Sequence, residues 1–151
     1  MHKPTRKTAM VLGTVLLVSG GGAAYAYWTS TGAGTGTAQS GTTVALVVNQ
    51  TTTVSGLAPG LPAQSLAGNF DNPNVGPVYV AAVTAIVTGT DKPGCGASDY
   101  TIAGPATVNA EIAPGNGVGA WTGLTIQFNN KPAANQDACK GANVTLAYTS
   151  S

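Results

Sequence analysis

Charge is scarce in this chain. Asp, Glu, Lys and Arg make up 7% of its 151 residues, against about 25% in an ordinary soluble protein. A nucleic-acid binder needs a basic face and a coiled coil needs charged flanking positions, so both classes are excluded. Histidine occurs once, at His2, and cysteine twice, at Cys95 and Cys139. Beyond residue 2 there is no imidazole to serve a Ser-His-Asp or Cys-His nucleophile. Neither a GxxxxGK[ST] loop nor a strand–GxGxxG–helix unit is present, so the glycines cradle no phosphate. Simple disorder is excluded too, because 43% of the chain is hydrophobic and disordered chains are not. What remains abundant is Gly (21 residues), together with Ala and Thr.

The N-terminus reads as an export signal. Basic residues (His2, Lys3, Arg6, Lys7) precede an apolar run over 9–18, glycines follow at 20–22, and Ala24-Tyr25-Ala26 offers a small-x-small cleavage site. Cleavage at Ala24/Ala26 makes 1–26 a signal peptide. Counted on through Trp28, the run approaches the ~20 residues of a membrane span, so an uncleaved anchor helix stays open. No Cys lies near the run, no Arg-Arg pair precedes it and no Glu follows it. Those absences remove lipoprotein, twin-arginine and pilin-type export and leave Sec-type export to the cell surface or beyond. The mature chain then sets Lys92, Lys131 and Lys140 against Asp71, Asp91, Asp99, Glu111 and Asp137, a net charge of −2. Such a surface attracts neither nucleic acid nor anionic lipid. Membrane contact is expected only through an uncleaved N-terminal segment.

Residues 27–42 are dominated by Thr, Gly, Ser and Ala, without one charge. A flexible linker is one reading. The period-two placement of Thr29, Thr31, Ala33, Thr35 and Thr37 also fits an edge strand, or a strand donated to a neighbouring molecule. From residue 43 to 151 short apolar runs alternate with Gly/Pro/Asn turns. The runs predict eight strands, at 43–49, 51–56, 65–71, 77–88, 99–103, 106–112, 120–129 and 142–149. No stretch here has a 3.6-residue period with good helix formers. The expected fold is all-β: one Ig-like or jelly-roll-like β-sandwich after the N-terminal signal or anchor helix. Alternation puts Leu124, Ile126 and Phe128 inside, and likewise Val144, Leu146 and Tyr148. Residues 78–87 are apolar on both parities and predict a central strand.

Two cysteines in an exported chain predict a Cys95–Cys139 disulfide. The oxygen-rich run Asn69, Asp71, Asn72 and Asn74 is a candidate calcium site, although Pro73 breaks the EF-hand pattern and the same residues suit an ordinary turn. Trp121 lies on the parity opposite Leu124, so it is expected to be exposed near a glycine-rich loop at 113–120. With Tyr100 it is the candidate platform for a glycan or protein partner. No other metal site and no cofactor is expected.

Two passages resemble a known group. Ala26-Tyr27-Trp28-Thr29-Ser30-Thr31 resembles the Ala-Phe/Tyr-Phe-Ser/Asn-Asp-Thr junction of the TasA/camelysin family of exported Gram-positive matrix proteins. Leu57-Ala58-Pro59-Gly60, then Phe70 and Asn72, resembles the Leu-x-Pro-Gly…Phe…Asn passage of that family and of many bacterial Ig-like domains. The resemblance implies a jelly-roll or Ig-like sandwich outside the cell and, as in some members, assembly into biofilm fibres. Metallopeptidase activity does not carry over, because the mature chain lacks His and its five acids form no HExxH-like arrangement. The expectation is a non-enzymatic structural protein of the surface or matrix, pairing with itself through strand edges. The alternative is a binding module for cell-wall glycan or a surface protein.

Overall fold

The computed structural model describes residues 31–151. The signal or anchor segment, with Ala24 and Ala26, lies outside the described residues, as does most of the first family-like passage. A compact unit spans Gly41–Ser151. Residues 31–46 belong to no strand, and all but Leu46 are exposed.

Among the described residues seven strands form: β1 Val47–Gln50, β2 Gln64–Asn72, β3 Val78–Thr90, β4 Tyr100–Ala103, β5 Ala106–Ile112, β6 Gly115–Phe128 and β7 Val144–Ser150. They make a four-stranded sheet, β1-β2-β6-β4, and a three-stranded sheet, β5-β3-β7. Every pairing is antiparallel. From β2 onward each link changes sheet, so successive strands alternate across the core. The arrangement is sandwich-like. Leu66, Phe70, Tyr100, Trp121, Leu124, Ile126 and Phe128 come from the larger sheet and meet Val80, Val83, Ala106 and Ile112 from the smaller. Each fully buried large side chain contributes about 1.5–3 kcal/mol of transfer free energy. As the doubly apolar pattern predicts, β3 is central in its sheet.

The stretch 51–56 is not an eighth strand. It runs beside β2, but side chains replace most ladder bonds. The amides of Thr51 and Thr52 both donate to Ala67 O, and Thr52 Oγ1 accepts from Ala67 N at 3.1 Å. Further on, the Gln64 side-chain amide brackets the Ser55 main chain: Nε2 donates to Ser55 O at 2.7 Å and Oε1 accepts from Ser55 N at 3.4 Å. Two amides sharing one carbonyl take the chain out of register with its neighbour, and a regular ladder cannot resume.

β6 departs from plain alternation. Its register against β2 runs Leu66↔Leu124, Gly68↔Trp121, Phe70↔Val118 and Asn72↔Gly115. Two residues of β2 therefore oppose three of β6, three times in succession. Each interval holds one glycine at positive φ: Gly123 (105°), Gly119 (64°) and Gly117 (65°). These are successive bulges, each placing the extra residue where only glycine sits without strain. Inward positions consequently recur every three residues, at Val118, Trp121 and Leu124, and only afterwards every two, at Ile126 and Phe128. Trp121 is 1% exposed, not the surface residue that plain alternation predicts. The glycine-rich loop expected at 113–120 shrinks accordingly, since β6 begins at Gly115.

Gly68 completes that site. A Cβ there would collide with the Asn49 carbonyl of β1 and the indole of Trp121. The missing side chain lets Trp121 lie across β2 and lets β1 approach. Trp121 Nε1 donates to Asn69 O at 3.3 Å, and its ring packs 5.2 Å from that of Tyr148.

Candidate functional site

A two-sheet sandwich leaves four edge strands, and an unpaired edge is a template for further strand addition. The four are not equivalent. β1 has four residues, and the chain entering it is held by Asn74, whose Oδ1 accepts from Val44 N at 2.7 Å and whose Nδ2 donates to Val44 O at 2.8 Å. β4 also has four residues and ends against Gly104-Pro105. β5 carries Glu111 and an extra residue against β3, with Asn109 at φ 46°. Short length, proline, charge and bulges are the usual guards of an edge. β7 has none of them: seven residues, VTLAYTS, without charge, Pro or Gly, and strict alternation of half-buried and exposed positions. The one irregularity in its pairing is an extra residue on β3.

Beneath β7 lies a cleft of about 490 Å³ between the two sheets. Tyr100, Ile126, Val144 and Leu146 line its depth, and Gln50 and the 52–57 segment form its rim. Gln50 and Asn143 on the rim are already engaged. Gln50 Oε1 accepts from Tyr148 OH at 2.7 Å, its Nε2 donates to Thr52 O at 2.6 Å, and Asn143 is held by Asp91. Among the described residues no buried side-chain N or O lacks a partner. What the cleft presents is the apolar side chains at its depth, the Thr53 and Ser55 side chains on its rim and the adjoining strand edge.

The disulfide end collects the lysines. Cys95 and Cys139 are bonded, as the sequence predicts, and both are buried. Their separation of 44 residues corresponds to about 4 kcal/mol by loop-closure entropy. Cys95, Cys139 and Asp99 form the one three-residue group of metal-capable side chains among the described residues. Joined as a disulfide, the sulfurs offer no thiolate to a metal. Asp99 is occupied as well: Lys131 Nζ donates to Oδ1 at 2.8 Å and Gly96 N to Oδ2 at 2.9 Å. Those bonds, Lys131 first, hold the Asp99 carboxyl below its usual range. Burial, then the charges of Asp99 and Asp91, raises the Tyr100 phenol.

The residues singled out by sequence fall as follows. Tyr100 is 7% exposed and sits edge-on to Phe128, with ring centroids 5.0 Å apart, so it joins Trp121 in the core. Neither aromatic is a surface platform. The oxygen-rich run spends its oxygens on the chain. Asn72 is buried, and its Nδ2 donates to Ile112 O at 2.8 Å while its Oδ1 accepts from Asn74 N and Nδ2. Asp71 Oδ1 accepts from Gly117 N at 2.7 Å, and its carboxyl is lowered by the Asn49 side chain first and by that amide second. Asn69 contributes its carbonyl to Trp121. The run shapes the β2–β3 turn, braces the glycine-rich start of β6 and clamps Val44. Sequence reasoning missed the β7 edge. The absence of charge, Pro and Gly over 144–150 suits a central strand as well as an open edge, so the sequence alone carried no signal of it.

No family model, no curated protein and no solved structure matches this chain.

Proposed function

We infer that this is an exported structural protein of the cell surface or extracellular matrix, which self-associates through strand edges. The observation that carries the reading is the contrast among edges: three are guarded and β7 is not. Soluble monomers blunt their edges, and an open, uncharged one is a contact surface. The Sec-type signal supports the location, and the exposed 31–45 segment supports a tether between the domain and whatever precedes it. The four-plus-three division of strands supports an Ig-like architecture. The order β1-β2-β6-β4 with β5-β3-β7 differs from the ABED/CFG order of constant-type Ig domains. A glycan-binding module would need exposed aromatics; the two candidates are in the core, and Tyr79 is the exposed aromatic among the described residues.

Sedimentation and negative-stain imaging of the protein recovered from the cell surface or medium test this reading. Assemblies that form reversibly with concentration are expected. A monomer at every concentration overturns it.

A further inference from the structure

We propose that β7 pairs antiparallel with β7 of a second copy about a two-fold axis at Ala147, joining two three-stranded sheets into one of six strands. The inference rests on the self-association reading and names the partner and register of that contact. The free side of β7 follows from its bonds to β3. Ser151 N donates to Ala82 O, Ala81 N to Ser151 O, and Asp91 N to Asn143 O. Residues 143 and 151 thus turn their main-chain groups toward β3, and strand alternation turns 145, 147 and 149 the same way. The amides and carbonyls of Val144, Leu146, Tyr148 and Ser150 point outward, where no described strand pairs with them.

Ala147 is the midpoint of Val144–Ser150, so a two-fold there uses the whole strand. Any other centre shortens the overlap. Leu146 then faces the partner's Tyr148 and Val144 faces the partner's Ser150. Both are hydrogen-bonded pairs, and the register yields about eight main-chain bonds. Thr145 faces the partner's Thr149 on the exposed side. Thr–Thr pairs are among the favourable cross-strand neighbours, and Leu against Tyr removes apolar surface from water. Ala147 meets its own copy at the narrow, non-hydrogen-bonded position, where Cα atoms approach to about 4.5 Å and a small residue fits. The half-buried side chains Val144 and Leu146 border the inter-sheet cleft, so pairing extends the apolar layer of one copy into that of the other. An isologous contact closes after two copies, and its product is a dimer, not a filament.

The test is a charge swap at Ala147, whose side chain is exposed and whose replacement leaves the core untouched. Sedimentation equilibrium is run on the purified protein and on Ala147→Lys and Ala147→Glu. Wild type is expected to dimerise. Each variant alone is expected to dimerise at least tenfold more weakly, because like charges then meet across the axis. An equimolar mixture of the two is expected to recover dimer. Three results overturn the two-fold. If wild type and both variants associate equally, another edge is in use and the self-association reading survives. If association is unaffected by either charge but lost on deleting residues 31–40, a donated N-terminal strand is the contact. A wild-type monomer removes both the two-fold and the reading beneath it.

Discussion

The two halves of β6 obey different arithmetic although they form one strand. From Leu124 to Phe128 the inward residue recurs every two positions, and hydrophobic alternation locates the core directly. From Gly115 to Gly123 it recurs every three, because each interval carries an extra residue on a positive-φ glycine. Alternation is a property of unbulged strands. One bulge reverses the faces of everything beyond it. Glycine spacing, not hydrophobic spacing, sets the period in the first half, which is how a tryptophan of surface parity enters the core.

Substitutions at Trp121 and Thr122 break this comparison most sharply. Trp121→Ala should cost about 3–5 kcal/mol, the range for emptying an aromatic core position. Thr122→Ala, on the parity alternation would bury, should stay within about 0.5 kcal/mol. Denaturant midpoints of the two variants measure both, and equal effects would refute the three-residue period. The disulfide ranks beside Trp121. Replacing Cys95 and Cys139 together by Ala should lower stability by about 4 kcal/mol in the chain-entropy estimate, read from the shift in urea midpoint.

Glycine substitutions sharpen the comparison next. Gly119→Ala imposes a side chain at φ 64° and places its Cβ 2.9 Å from Ile112 Cδ1. Gly89, in β3, has ordinary φ and open space around it. Gly119→Ala should cost about 1–3 kcal/mol of backbone strain, whereas Gly89→Ala should be neutral or slightly stabilising through the unfolded chain. Thermal melts of both variants discriminate the two outcomes.

Protonation should have the smallest effect over most of the pH range. The carboxyls of Asp71, Asp91 and Asp99 are lowered on folding, the second by the main chain and then the side chain of Asn143. A lowered carboxyl stabilises the fold above its unfolded value of about 4, and that contribution disappears as pH falls through the folded value. The phenols of Tyr100 and Tyr148 are raised, by burial first. Their contribution is complete below the unfolded value of about 10 and declines as pH rises beyond it. The melting temperature should therefore be flat between about pH 5 and 9, falling below about 4 and above about 10. A transition near pH 6–7 would contradict this assignment of groups.

Legibility along the chain tracks how local each determinant is. The all-β class, the central β3, the disulfide and the inward faces of β7 and of 124–128 follow from composition, alternation and cysteine count, because each depends on residues near in sequence or on chemistry without alternatives. The seven-strand count, the burial of Trp121 and Tyr100 and the use of Asn72 and Asp71 as braces depend on partners far along the chain. Ile112 O lies 40 positions from Asn72, and Gly117 N lies 46 from Asp71. The glycines at 117, 119 and 123 were visible, and glycine inside a strand pattern signals a bulge. How many bulges occur, and against which strand, was decided only when β6 paired with β2 and placed Trp121 over Gly68, where no side chain stands in its way. Edge status is likewise a property of the assembled sheets. Residues 144–150 carry no mark of being an edge until β3 takes one of their two sides and leaves the other open.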